Sequence, residues 1–110
     1  MKHVLWISRH TMTQEQRADL ERALNDIVQI HQWPMTVGNV HELDWAIEQA
    51  DAICAVLPVE KLSELLEIAG NRPLLVSKAK REHINGSLET RFAHDGWYQM
   101  IRIVLEQKRV

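Results

Sequence analysis

The chain has 110 residues, 13 Lys and Arg against 15 Asp and Glu, and six His, for a formal net charge of -2. That length suits one domain rather than two, and 45% apolar with 25% charged residues excludes wholesale disorder. The charge balance excludes a broadly basic nucleic-acid coat, so a polyanion must meet a local cluster of cations, and no DNA partner is expected.

Short apolar runs alternate with helix-period segments, the pattern of an α/β domain. His3 to Ser8 reads as the first strand, with Val4 to Ile7 apolar throughout, as in a strand covered on both faces. After a loop from Arg9 to Met12, Thr13 and Gln16 form a capping box. Leu20, Ala23, Leu24 and Ile27 then mark one helix face. A second strand runs from Ile27 to Trp33 and stops at Pro34. Asn39 and Glu42 suggest another capping box, before a helix that buries Leu43, Ala46, Ile47 and Ala50. Ala52 to Leu57 is the third and most apolar strand.

Pro58 then opens a helix lined by Leu62, Leu65, Leu66 and Ala69, with Gly70 beyond its end. Pro73 to Ser77 is the fourth strand, and polar Lys78 to Gly86 reads as a loop. Asp95-Gly96 is a hairpin turn signal between Arg91–His94 and Arg102–Leu105, so a C-terminal β-hairpin is expected. A terminal helix through Trp97, Met100, Ile101, Val104 and Leu105 is the alternative. The whole reads as one Rossmann-like domain over residues 1–110, a mainly parallel sheet flanked by helices.

Ligands of such sheets bind outside the carboxyl ends of the strands. Ser8, Arg9, His10 and Thr11 follow the first strand; Ser77, Lys78, Lys80 and Arg81 follow the fourth. Both groups also fit solvated loops. Their expected meeting at one edge, in a chain without excess positive charge, favours an anionic ligand. Phosphate suits it, because Arg grips phosphate bidentately and the first helix aims its N-terminus there. His10 is positioned to move a proton near neutral pH, and Arg9 to neutralise charge building on phosphorus.

Other chemistries find little support. The single Cys54 lies in an apolar run and reads as a small buried residue. His3, His31, His41, His83 and His94 show no metal-ligand spacing, and no metal or cofactor is expected. There is no glycine-rich nucleotide loop, no strained serine elbow and no readable Ser-His-Asp set. Trp33, Trp45 and Trp97 suit a core or an interface better than a base-stacking platform. The apolar run Ile53 to Pro58 is too short to span a bilayer. The opening MKHVLWISRH lacks the apolar length of a secretory signal, so no membrane partner and a cytoplasmic location are expected.

Trp6-Ile7-Ser8-Arg9-His10 resembles the opening of small CRISPR-associated ring nucleases, and Thr13-Gln14-Glu15-Gln16 is similar to a related small family. Leu57-Pro58-Val59 resembles the segment after the matching strand, and Phe92-Ala93-His94 with Gly96-Trp97 is similar to their C-terminal hairpin. The resemblance implies a homodimer related to CARF sensor domains that binds cyclic oligoadenylate across its two-fold. It also implies cleavage without metal to products ending in 2′,3′-cyclic phosphate, which silences type III CRISPR signalling. Ser8, Arg9 and His10 would then be catalytic, while Thr11, Thr13, Pro58, Ser77, Lys78, Lys80 and Arg81 would hold the ring. The segment around Trp97, Met100 and Ile101 is the candidate dimer seam. Thr11-Met12 stands where the family carries Pro-Gly, which leaves the loop's shape open. A non-catalytic sensor or sponge of the same fold is the alternative.

Overall fold

A computed structural model of the chain describes residues 1–83, 86, 88–103 and 108–109. Five strands form one sheet in the order β2-β1-β3-β4-β5: β1 Lys2–Ile7, β2 Val28–Trp33, β3 Ala52–Ala55, β4 Leu74–His83 and β5 Thr90–Gln99. The pairs β1–β2, β1–β3 and β3–β4 are parallel, and β4–β5 is antiparallel. The helices are α1 (Gln14–Leu24), α2 (Asp44–Glu48), preceded by a 3-10 turn at Val40–Leu43, and α3 (Val59–Ala69). This α/β arrangement is compatible with a Rossmann-like fold. Among the described residues no helix is long and apolar enough to cross a membrane.

The unbroken apolar run of β1 follows from cover on both sides. Val4 and Trp6 join Leu20, Val28 and Cys54 on the α1 side. Leu5 and Ile7 join Leu43, Ile47, Ile53 and Leu65 on the other, beneath α2 and α3. Cys54 is fully buried, and burial pushes its thiol well above the usual range.

The expected capping box closes: Gln16 N–H donates to Thr13 Oγ1 (3.1 Å) and Thr13 N–H donates to Gln16 Oε1 (2.9 Å). Asn25, at φ 54°, stops the helix early. The expected helix face is therefore too long: Ile27 lies beyond the helix and is 63% exposed, and Ala23 is exposed too. At Asn39 only half of the second box forms, its side chain accepting from His41 N–H (3.0 Å). The third strand ends at Ala55 rather than Leu57, while α3 follows Pro58 as expected.

The largest correction concerns residues 78–99. Lys78 to His83 is not a loop; it continues β4 against β5. Cross-strand contacts support it: Lys78 Nζ sits 4.4 Å from the Tyr98 ring, Arg81 lies over Phe92, and Arg91 pairs with Glu82 at 3.3 Å. Asp95-Gly96 is not a hairpin turn. Lys78 pairs with Gly96 and Ala79 with His94, which leaves Asp95 as the extra residue of a bulge. The terminal helix does not start at Trp97, which lies in β5. Arg102 and Ile103 take no regular structure; Val104 and Leu105 lie outside the described residues. Within the candidate seam, Trp97 packs against Trp6 and Met100 against the α2–α3 core, while Tyr98 and Ile101 are exposed.

Candidate functional site at the carboxyl edge of the sheet

Trp6 is level with Cys54, and Cys54 with Leu75. Continuing that register by two residues sets Ser8, Val56 and Ser77 in one row at the carboxyl edge. Beyond β3, residues 78–83 pair only with β5. They carry a two-stranded arm roughly 20 Å past the edge at ~3.3 Å per residue.

A cleft of about 460 Å³ opens at this edge, lined by Ser8, Arg9, His10, Thr36, Pro58 and Lys61 among others. Its floor is tied down through the backbone. Ser8 N–H donates to Trp33 O (3.2 Å) and His10 N–H to Ser8 Oγ (3.1 Å). The buried Trp6 indole donates to His10 O (2.8 Å), and Gln32 Nε2 donates to Ser8 O (2.9 Å) and His10 O (3.1 Å). Arg9 donates to Thr36 Oγ1 through one guanidinium nitrogen, and Lys61 Nζ donates to Gly38 O. Among the described residues the His10 ring has no hydrogen-bond partner, so it is available to a ligand.

The sequence-derived residues separate into groups. Ser8, Arg9, His10 and Pro58 share the cleft. Thr11 is exposed beside it, whereas the Thr13 hydroxyl is committed to capping α1. Lys78, Lys80 and Arg81 stand on the arm; Lys80 pairs with Glu82 at 3.4 Å, and Arg81 alternates to the opposite face from Lys78 and Lys80. Lys61 was missed, because its helix was read only for its apolar stripe.

Ser77 enters a network that sequence reading did not find. Its Oγ lies 2.8 Å from His94 Nδ1, and His94 Nε2 lies 2.9 Å from Asp19 Oδ2. Gln16 Nε2 donates to Ser77 Oγ at 3.2 Å. A Ser-His-Asp set therefore exists, on three elements with no local spacing to reveal it. The hydrogen bond from His94, then that from Arg22, hold the Asp19 carboxyl below the usual range.

The remaining aromatic and imidazole groups lie elsewhere. His3 Nδ1 and His31 Nε2 are 3.0 Å apart beside a separate cavity that Trp45, 75% exposed, also lines. Trp33 packs on the α2–α3 core. Among the described residues no three His, Cys, Asp or Glu side chains converge as a metal site requires.

Comparison with known protein families, with curated proteins and with solved structures finds no match to this chain.

Proposed function

We propose that the protein is a ring nuclease. It would bind a cyclic oligoadenylate, most naturally the tetra-adenylate, as a cytoplasmic homodimer of CARF-like domains, and open the ring without metal. The observation that carries this reading is the meeting of Arg9, His10 and Lys61 around one cleft, at the sheet edge from which the arm bearing Lys78, Lys80 and Arg81 also extends. Phosphodiesters suit such a surface, because fixed cations face a charge that stays on phosphorus throughout reaction.

In the proposed reaction a ribose 2′-hydroxyl attacks the adjacent phosphorus, and the bond to the 5′-oxygen breaks. The nucleophile belongs to the substrate, so the protein's main task is alignment. The tethered backbone of Ser8 to His10 suits that task. The free guanidinium donors of Arg9 would stabilise the phosphorane charge. His10 would take the 2′-hydroxyl proton or give one to the leaving oxygen. A two-fold pair would set two copies of each loop around a symmetric ring.

The test is incubation with cyclic tri-, tetra- and hexa-adenylate in EDTA, with products separated by chromatography. Linear products ending in 2′,3′-cyclic phosphate are expected. Rings that return intact yet raise the melting temperature would make the protein a sponge or sensor. No thermal shift with any ring would remove the nucleotide reading. Light scattering should show a dimer; a monomer both with and without ring would overturn that part.

A further inference from the structure

We propose that Ser77, His94 and Asp19 form a second reactive centre, in which Ser77 is a base-activated nucleophile toward activated carboxylic esters. This is independent of the ring-nuclease reading. For a neutral imidazole the hydrogen bonds of the set take one consistent direction. Asp19 is ionised and only accepts, so His94 Nε2 carries the proton in the 2.9 Å bond. With a neutral imidazole, as the proposal requires, His94 Nδ1 is then a bare lone pair, and the 2.8 Å contact is Ser77 O–H donating to it. That is the nucleophile–base–orienter order required for serine activation.

The surroundings hold this order in place. The His94 side chain is only 5% exposed and packs on Trp97, ring centroids 5.6 Å apart. Arg22 pairs with Asp19 at 2.7 Å, fixing the carboxylate behind the imidazole. The capping box orients the remaining member. Gln16 Oε1 accepts from Thr13 N–H, so its Nε2 must face Ser77. Trp97 Nε1 donates to Gln16 O (2.8 Å), which pins the same turn to β5. Ser77 itself is half-buried and stands in the edge row, where ligands of parallel sheets bind.

In the proposed reaction Ser77 Oγ attacks the ester carbonyl carbon and its proton passes to His94 Nδ1. The Gln16 amide, which donates to Ser77 Oγ before attack, would turn to the carbonyl oxygen as it becomes negative. Collapse breaks the bond to the leaving alcohol, which takes the proton from His94. Water then attacks acyl-Ser77, giving its proton to His94; the acid leaves and Ser77 regains its hydrogen. An activated ester is the fitting class because its good leaving group asks least of a single amide donor.

The test is labelling of the full chain with a fluorophosphonate probe, read by intact mass and peptide mapping, alongside p-nitrophenyl acetate hydrolysis. One adduct at Ser77 is expected, absent in urea and in Ser77→Ala. His94→Gln should slow labelling at least ~100-fold, as loss of a general base does, and Asp19→Asn should slow it too. Should His94→Gln fail to melt cooperatively, Asp19→Asn and the urea control decide. A folded wild type left unlabelled at Ser77 overturns the proposal. So does labelling that ignores both substitutions, and the set would then be a brace between α1 and the β4–β5 pair.

Discussion

The indole of Trp6, deep in the sheet, donates to the carbonyl oxygen of His10 at 2.8 Å. A core residue thus sets the backbone of the candidate site. Trp6→Phe keeps most of the ring and removes the donor. The bond accounts for about 0.5–1.5 kcal/mol, held at the low end because Gln32 also donates to His10 O, and the void left by the smaller ring adds to the total. Urea denaturation measures it, and adding Gln32→Ala should cost more than the two single changes together.

Arg9→Ala and His10→Ala should part company in single-turnover cleavage. Loss of Arg9 should slow the step by roughly two to four orders, as for other preorganised electrostatic groups. Loss of His10 should slow it by about 10²–10⁴ and flatten the rate profile between about pH 5 and 8. A wild-type profile for His10→Ala would reduce that residue to positioning. Two unimpaired variants would move the site away from β1.

Replacing Lys78 and Lys80 together by Ala should weaken ring binding and its salt dependence more than it slows the bound complex. Contacts made equally to ground and transition state behave so. Lys78 lies on Tyr98 and Lys80 beside Glu82, both largely in solvent, so the stability cost should stay within about 1 kcal/mol. Calorimetric titration across a salt series decides, and unchanged affinity would reduce the arm to a solvated surface.

Asp19 gives the fold an acid sensitivity. Its folded pKa lies below the unfolded value of about 3.9. Between the two values the unfolded chain binds the extra proton. The stabilisation is therefore complete above the unfolded value and is lost as pH falls through the folded one. Asp19→Asn should flatten this part of the stability curve below about pH 4 without steepening the neutral region. Melting temperatures from pH 3 to 7 would show it.

Cys54 should resist iodoacetamide in the native state, because its thiol is buried and held protonated. One alkyl group should appear only on unfolding. Rapid native alkylation would mean that β3 opens readily.

The α/β plan was legible where burial alone dictates composition. Val4 to Ile7 and Ile53 to Ala55 are covered on both faces, and Leu62, Leu65 and Ala69 repeat at helical spacing. Thr13 and Gln16 announced their own cap, since both partners sit within one turn. What misled was the arm. Its residues satisfy each other across strands, as Lys78 does with Tyr98, so nothing in Lys78 to His83 alone distinguishes strand from loop. Asp95-Gly96 carries turn chemistry, yet neither residue takes the positive φ of a two-residue hairpin turn; pairing with β4 holds both in the strand, with Asp95 as the bulge. The Ser8–Arg9–His10 cluster was readable because it is contiguous, whereas Asp19, Ser77 and His94 meet only through tertiary folding.

The bulge at Asp95 has a mechanical corollary. Strict alternation from His94 would bring Tyr98 to its side; the extra residue brings Trp97 instead, so both rings face α1. The inner segment of β5 is locked to the core at that point, and the outer segment starts afresh. Residue pairs added or removed beyond Ala79 and His94 would change how far the arm extends past the sheet edge while leaving Trp97 on its seat. Reach beyond the sheet edge is therefore a dimension this scaffold can vary without renegotiating its core.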